Sequence, residues 1–161
     1  MVNPQIATSA EQPINSDGAV ALDAGTEGDL VGLDADGELV QADAAAGEQV
    51  AAVGVLTGPV DDPANWPGED TQFNYARQQA NANRAVIGDT KVGYVRYGVE
   101  VYNNDQDWGF SPGDAVYLDT GGGFTQTAPS ATDTVRQYVG FAGPDGETVF
   151  LEIDGDFEIN A

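Results

Sequence analysis

Two stretches of this chain carry the same pattern, and that pattern constrains the fold more than any other feature. The first runs Glu27-Gly28-Asp29-Leu30-Val31-Gly32-Leu33-Asp34, then Gly37-Glu38-Leu39-Val40-Gln41. The second runs Pro112-Gly113-Asp114-Ala115-Val116-Tyr117-Leu118-Asp119, then Gly122-Gly123-Phe124-Thr125-Gln126. Both read Gly-Asp-x-Val-x-Leu-Asp, a glycine turn, then an apolar residue two before Gln. Alternation at a period of two is the signature of a strand with one face inward, so Val31, Leu33, Val116 and Leu118 are expected in the core. Asp34 to Gly37 and Asp119 to Gly123 have the residue types of tight turns. The likeness continues through Val50-Ala51-Ala52-Val53-Gly54 and Val135-Arg136-Gln137-Tyr138-Val139-Gly140, with Val139 also expected inward and a one-residue drift in spacing. Gly-Pro breaks follow at Gly58-Pro59 and Gly143-Pro144. Two copies are too few for a solenoid. The expectation is a mainly all-β fold, a small β-barrel or sandwich built on a duplicated strand-turn-strand unit.

The flanking segments have other textures. Residues 1–17 are polar, contain Pro4 and Pro13, and show no periodicity, which predicts an extended N-terminal arm on a single β-barrel-like domain over 18–161. Residues 61–89 interrupt the repeat. Pro63, Pro67 and Gly68 mark a loop there, and Asp70 or Thr71 caps a predicted short helix through about Arg84. The strand pattern resumes at Lys91 and runs to Tyr102, and Glu147 to Ile153 is also strand-like before an acidic tail.

Charge bounds the partners. The 161 residues carry 27 acids against 5 bases, a formal net charge of -22. Self-repulsion at this density opposes compactness in dilute buffer. It fades as the Debye length falls from about 10 Å at 0.1 M salt to about 3 Å at 1 M. The acids are interspersed with apolar residues, so the pattern is that of a salt-adapted folded protein and not of an acidic disordered tail. Nucleic acid is disfavoured because a phosphate-binding face needs clustered Lys and Arg. No apolar run approaches membrane-spanning length, and the N-terminus lacks the basic start and apolar stretch of a signal peptide.

Chemistry is bounded as tightly. Neither His nor Cys occurs, so Ser-His-Asp and Cys-His constellations and zinc–sulfur sites are impossible. No cofactor motif is present. Paired carboxylates of the glycosidase kind are inevitable by chance among 27 acids and single out no catalytic pair. Asn103, Asp105 and Asp107 alternate, with Asp114 at the twelfth position, in an echo of an EF-hand loop. Trp108 stands where that loop requires glycine, and the predicted flanks are strands, so a solvated hairpin loop is the default. Four of the five cations, Arg77, Arg84, Lys91 and Arg96, lie in and just after the insertion. With Trp66 and Trp108 they are the candidates for a partner-contact surface, Arg and Trp being enriched at interface cores. The alternative is pairing within the chain.

The Gly113 to Leu118 block, the Gly-x-Phe-Thr return at Gly122 to Thr125 and the Val139-Gly140-Phe141-Ala142 ending resemble the small β-rich capsid decoration proteins of tailed viruses. The Gly28 to Gln41 block resembles the first half of the same family. The resemblance implies a β-barrel or β-tulip with an extended arm, seated on the outer surface of the capsid. Its partners would be the major capsid protein and neighbouring copies, most often as a trimer. The insertion and the acidity depart from the family pattern, and the acidity points to a virus of a halophilic archaeon, with synthesis in the host cytoplasm. On this reading the protein is structural and not an enzyme. The competing readings are a virion spike or carbohydrate-binding module, and a polysaccharide hydrolase.

Overall fold

A computed structural model describes residues 14–19, 27–57 and 91–161, with backbone alone for 14–19 and 91–93. The described residues form strands, turns and loops, with no helix among them. The strands are β1 (Ile14–Ala19), β2 (Leu30–Leu33), β3 (Leu39–Gln41), β4 (Gly54–Leu56), β5 (Lys91–Tyr102), β6 (Ala115–Leu118), β7 (Phe124–Thr125), β8 (Val135–Arg136), β9 (Tyr138–Ala142), β10 (Thr148–Glu152) and β11 (Glu158–Ile159). The helix expected within 61–89 lies outside the described residues, as do residues 1–13. Strand β1 begins at Ile14, inside the stretch expected to be arm, and pairs with β5 from Ile14↔Tyr97 to Ala19↔Lys91.

Eight strands form one antiparallel sheet in the order β3-β2-β4-β5-β10-β9-β6-β7, with β1 as a further partner of β5. If β2 is matched with β6, β3 with β7, β4 with β9 and β5 with β10, the order reads the same from either end. The hydrogen bonds repeat with it. Asp34 N–H donates to the Glu38 carbonyl, and Gly37 N–H to that of Asp34; Asp119, Gly123 and Gly122 repeat both bonds. Gly28 N–H donates to the Leu56 carbonyl as Gly113 N–H does to that of Ala142. Val31 faces Gly54 across β2 and β4, and Val116 faces Gly140 across β6 and β9. The one-residue drift in the sequence spacing has a location: the β6–β9 register shifts between Val116↔Gly140 and Tyr117↔Tyr138, a bulge at Val139.

The sheet curls into a half-barrel because its two ends are tied together. Ala44 N–H donates to the Asp119 carbonyl at 3.1 Å, and the Ala44 carbonyl accepts from Val135 N–H at 2.9 Å. Gly121 N–H donates to Asp43 Oδ1 at 2.8 Å. Inside the curl, Gln137 puts its carboxamide where a strand would otherwise pair. Its Oε1 accepts from Ala52 N–H at 2.6 Å, and its Nε2 donates to the Ala52 carbonyl at 2.8 Å, both bonds buried. An amide side chain thus satisfies a buried backbone donor and acceptor, which would otherwise cost stability. The C-terminal tail turns back, and β11 pairs with β8.

The main core contains Leu30, Val55, Val95, Val116, Leu118, Val135, Val139, Ala142, Val149, Leu151 and Ile153. A second cluster holds Val31, Leu39 and Leu56, with Val53 and Tyr94 packed on it. Four of the five expected core positions are buried: Val31, Val116, Leu118 and Val139. Leu33 is not; it is 46 % exposed at the end of β2. The alternation that predicted it is real, but the second cluster ends before reaching that position.

Candidate functional site

The clearest feature outside the core is an aromatic face on the second half of the sheet. On β9 and β10 the residues Val139, Ala142, Val149 and Leu151 enter the core. Phe141 and Phe150 are directly opposed in the register and therefore share the other face. Their rings stack with centroids 5.0 Å apart and planes 29° apart. Tyr117 on β6 opposes Tyr138 on β9, and these rings meet edge to face at 6.4 Å. All four rings are half-buried, within the range in which aromatic pairs attract beyond their area burial.

A bulge opens this face toward β5. Phe150 opposes Glu100 and Glu152 opposes Tyr97, so β5 uses one residue more than β10 over the same interval. Gly98 sits in that interval with φ +79°, a conformation that glycine adopts at little cost and that bulges exploit. The result is a groove of about 400 Å³ between Tyr97, Gly98, Glu100, Phe141, Phe150 and Glu152. Its floor is aromatic and a carboxylate stands on each side of Phe150. Glu152 is held in place: its Oε2 accepts from the Tyr138 hydroxyl at 2.8 Å. The Tyr138 hydroxyl is pushed up to about 12, first by burial and then by the Glu152 carboxylate. Tyr97, 44 % exposed, closes one end. A second hollow of about 420 Å³ has Val55, Leu56, Val95 and Val101 for walls and Glu27, Glu100 and Tyr102 at its rim.

The loop expected to echo a calcium site is organised around Glu147. Glu147 Oε2 accepts from Trp108 N–H at 3.0 Å and from Asn103 Nδ2 at 3.3 Å, while Oε1 accepts from Gly109 N–H at 2.9 Å. Asn103 Nδ2 also donates to Asp107 Oδ1 at 2.7 Å, and Asn103 Oδ1 accepts from Asp105 N–H at 3.0 Å. Asn103 and Asp107 therefore meet, whereas Asp105 enters through its backbone. Among the described residues no three Asp or Glu side chains converge to hold a metal ion. Trp108 stacks on Phe110 at 5.1 Å and leans on Phe124 at 5.2 Å, half-buried against the core. Across the hairpin from this loop, Asp145 is held below its usual range, chiefly by the Glu147 N–H and also by the Thr148 hydroxyl.

Of the expected contact residues, Lys91, Arg96 and Trp108 are among those described. Lys91 opens β5. Arg96 lies within β5 and donates from Nη2 to the Asp154 carbonyl at 3.3 Å, against its own C-terminal segment. Its Nε is buried with no hydrogen-bond partner among the described protein atoms. Trp66, Arg77 and Arg84 lie outside the described residues. Sequence reasoning missed the groove residues, Glu147 and Gln137. The signal for the groove was Phe141 and Phe150 sitting out of phase with the inward positions of their strands. Nothing in the run Val135-Arg136-Gln137-Tyr138-Val139 marked Gln137 as a buried residue.

Comparison with known proteins returned no match: no family model, curated protein or solved structure corresponds to this chain.

Proposed function

We infer that this is a structural virion protein that binds the outer surface of an assembled capsid and stabilises it in high salt. The observation that carries the reading is the pairing of a strongly acidic composition with a half-exposed aromatic sheet face. Acidic surfaces keep a protein soluble where salt drives association, and aromatic faces are what interfaces bury. The partners are the major capsid protein and neighbouring copies, most often in a trimer. The outside of the particle is the location, and a virus of a halophilic archaeon is the source. The two halves are copies of one strand-turn-strand unit. The support is the sheet order together with the turn bonds that recur at Asp34 and Asp119. Residues 61–89 are an insertion into the first copy, at the place where the second has only the turn between β9 and β10.

The decisive experiment is co-sedimentation of the purified protein with undecorated shells, comparing the full chain with a deletion of residues 1–13 and with Arg77→Ala and Arg84→Ala. Decoration requires saturable binding by the full chain, and a contact role for those segments requires weaker binding by the variants. Failure of the full chain to bind shells removes the reading and leaves a spike or glycan-binding module. The salt adaptation is tested separately: the melting temperature should fall on dilution below roughly 0.5 M monovalent salt, as screening of the carboxylates is lost. A flat or rising series counts against it.

A further inference from the structure

We propose that the groove between β5, β9 and β10 receives an arginine side chain from a partner protein of a different kind. The proposal deepens the decoration reading by assigning it an attachment pocket, and rests on that reading only for the identity of the partner.

Three features specify a guanidinium. The floor is the stacked Phe141–Phe150 pair, and an aromatic face attracts a cation laid over it, arginine more often than lysine. The walls carry Glu100 and Glu152, the register partners of Phe150 and Tyr97. A planar guanidinium presents five N–H donors in a rigid fork that suits carboxylate oxygens. Glu152 is positioned before any ligand arrives, since Tyr138 holds it at 2.8 Å; a positioned acceptor reduces the ordering cost of binding. Salt favours the same ligand. At about 1 M salt the Debye length is near 3 Å, so only groups in contact with the cation attract it. A guanidinium is also less strongly hydrated than an ammonium and is desolvated more easily.

Charge also decides between a second copy and a different protein. A chain with 27 acids and only 5 bases has few arginines to offer a neighbouring copy. The occupant is therefore a segment of another protein that offers arginine on an exposed loop or strand.

The test is an NMR titration of the full chain in about 2 M KCl, where long-range attraction is screened. The probes are N-acetyl-arginine amide, N-acetyl-lysine amide and maltotriose. The arginine probe should move the amides of Gly98, Val99 and Leu151 saturably, and more tightly than the lysine probe. Phe150→Leu should weaken it about tenfold by removing the π face, and Glu152→Gln should weaken it several-fold. If Phe150→Leu does not fold, Glu100→Gln, on an exposed residue, should also weaken binding. Equal, dispersed shifts from both cations would mean simple attraction to an acidic surface and would overturn the proposal. Saturable maltotriose binding without arginine binding would assign the groove to a glycan instead. Concentration-dependent self-association abolished by Phe150→Leu would assign it to a second copy. The same variants added to shells separate the two claims. Shell binding unchanged by Phe150→Leu and Glu152→Gln removes the groove but keeps decoration. Arginine binding without shell binding keeps the groove and removes decoration.

Discussion

The two halves of the sheet have matching registers and mismatched surfaces. Val31↔Gly54 and Val116↔Gly140 occupy the same place in the ladder. In the first half both faces of the sheet are buried, Leu30, Val55 and Val95 in the main core and Val31, Leu39 and Leu56 in a cluster of their own. In the second half Val116, Leu118, Val149 and Leu151 take the main core, and the other face is left half-exposed. At the positions of Tyr117, Tyr138 and Phe141 the first half carries Gly32, Val53 and Val55, and Val55 lies in the main core where Phe141 lies on the open face. Backbone pairing and surface chemistry are thus separable: hydrogen bonds reproduce the same ladder with different side chains, because they use groups that every residue but proline possesses. An interaction face can arise on one half without disturbing the ladder of the other.

The comparison can be broken hardest at its most unequal pair. Leu33 and Leu118 end corresponding strands, yet one is 46 % exposed and the other fully buried. Leu118→Ala should cost about 2–5 kcal/mol, while Leu33→Ala should stay within about 0.5 kcal/mol. Denaturant unfolding in high salt measures both, and equal losses would mean that the halves are buried alike. Similar in size is the effect at the junction between the halves. Gln137→Leu strips Ala52 of both partners in a buried site and should cost about 2–6 kcal/mol, at roughly 1–3 per orphaned group. A near-neutral result in the same unfolding assay would show that Ala52 finds water.

The third test sharpens what the halves share. A Cβ at Gly54 would run into the carbonyl oxygen of Val95, and one at Gly140 into that of Phe150. Alanine at either should therefore cost about 1–3 kcal/mol by overpacking. A loss at one site alone, read from melting curves, would show that strand spacing differs between the halves. The smallest effect is alkaline and belongs to the second half, since the first half has Val53 at the position of Tyr138. The Tyr138 hydroxyl is raised from its ordinary value near 10 to about 12. Between those values the unfolded chain releases the proton while the folded chain retains it, so stability falls as pH rises through the window. Tyr138→Phe should flatten that part of the pH–stability curve, read by unfolding at pH 9 to 12. An unchanged slope would mean that the hydroxyl titrates as if free.

By itself the sequence determined the local structure of the sheet. Gly-Asp-x-Val-x-Leu-Asp before a glycine turn specified the β2–β3 and β6–β7 hairpins, because strand alternation and turn conformation are properties of a few adjacent residues. The near-repeat also placed like hairpins in the two halves, while the position of the one-residue drift, the bulge at Val139, came from the strand register. Only the tertiary structure decided which face of each strand is covered. Val31 and Val116 read alike and are both buried, but in different clusters; Leu33 and Leu118 read alike and differ completely. It also decided that Gln137 would serve as a strand for Ala52, that Trp108 would stack on Phe110 and Phe124, and that Glu100 and Glu152 would stand beside one ring. These depend on what lies opposite a side chain after the sheet has curled. Alternation says that a residue has a side, and only the curl of the whole sheet says what that side meets.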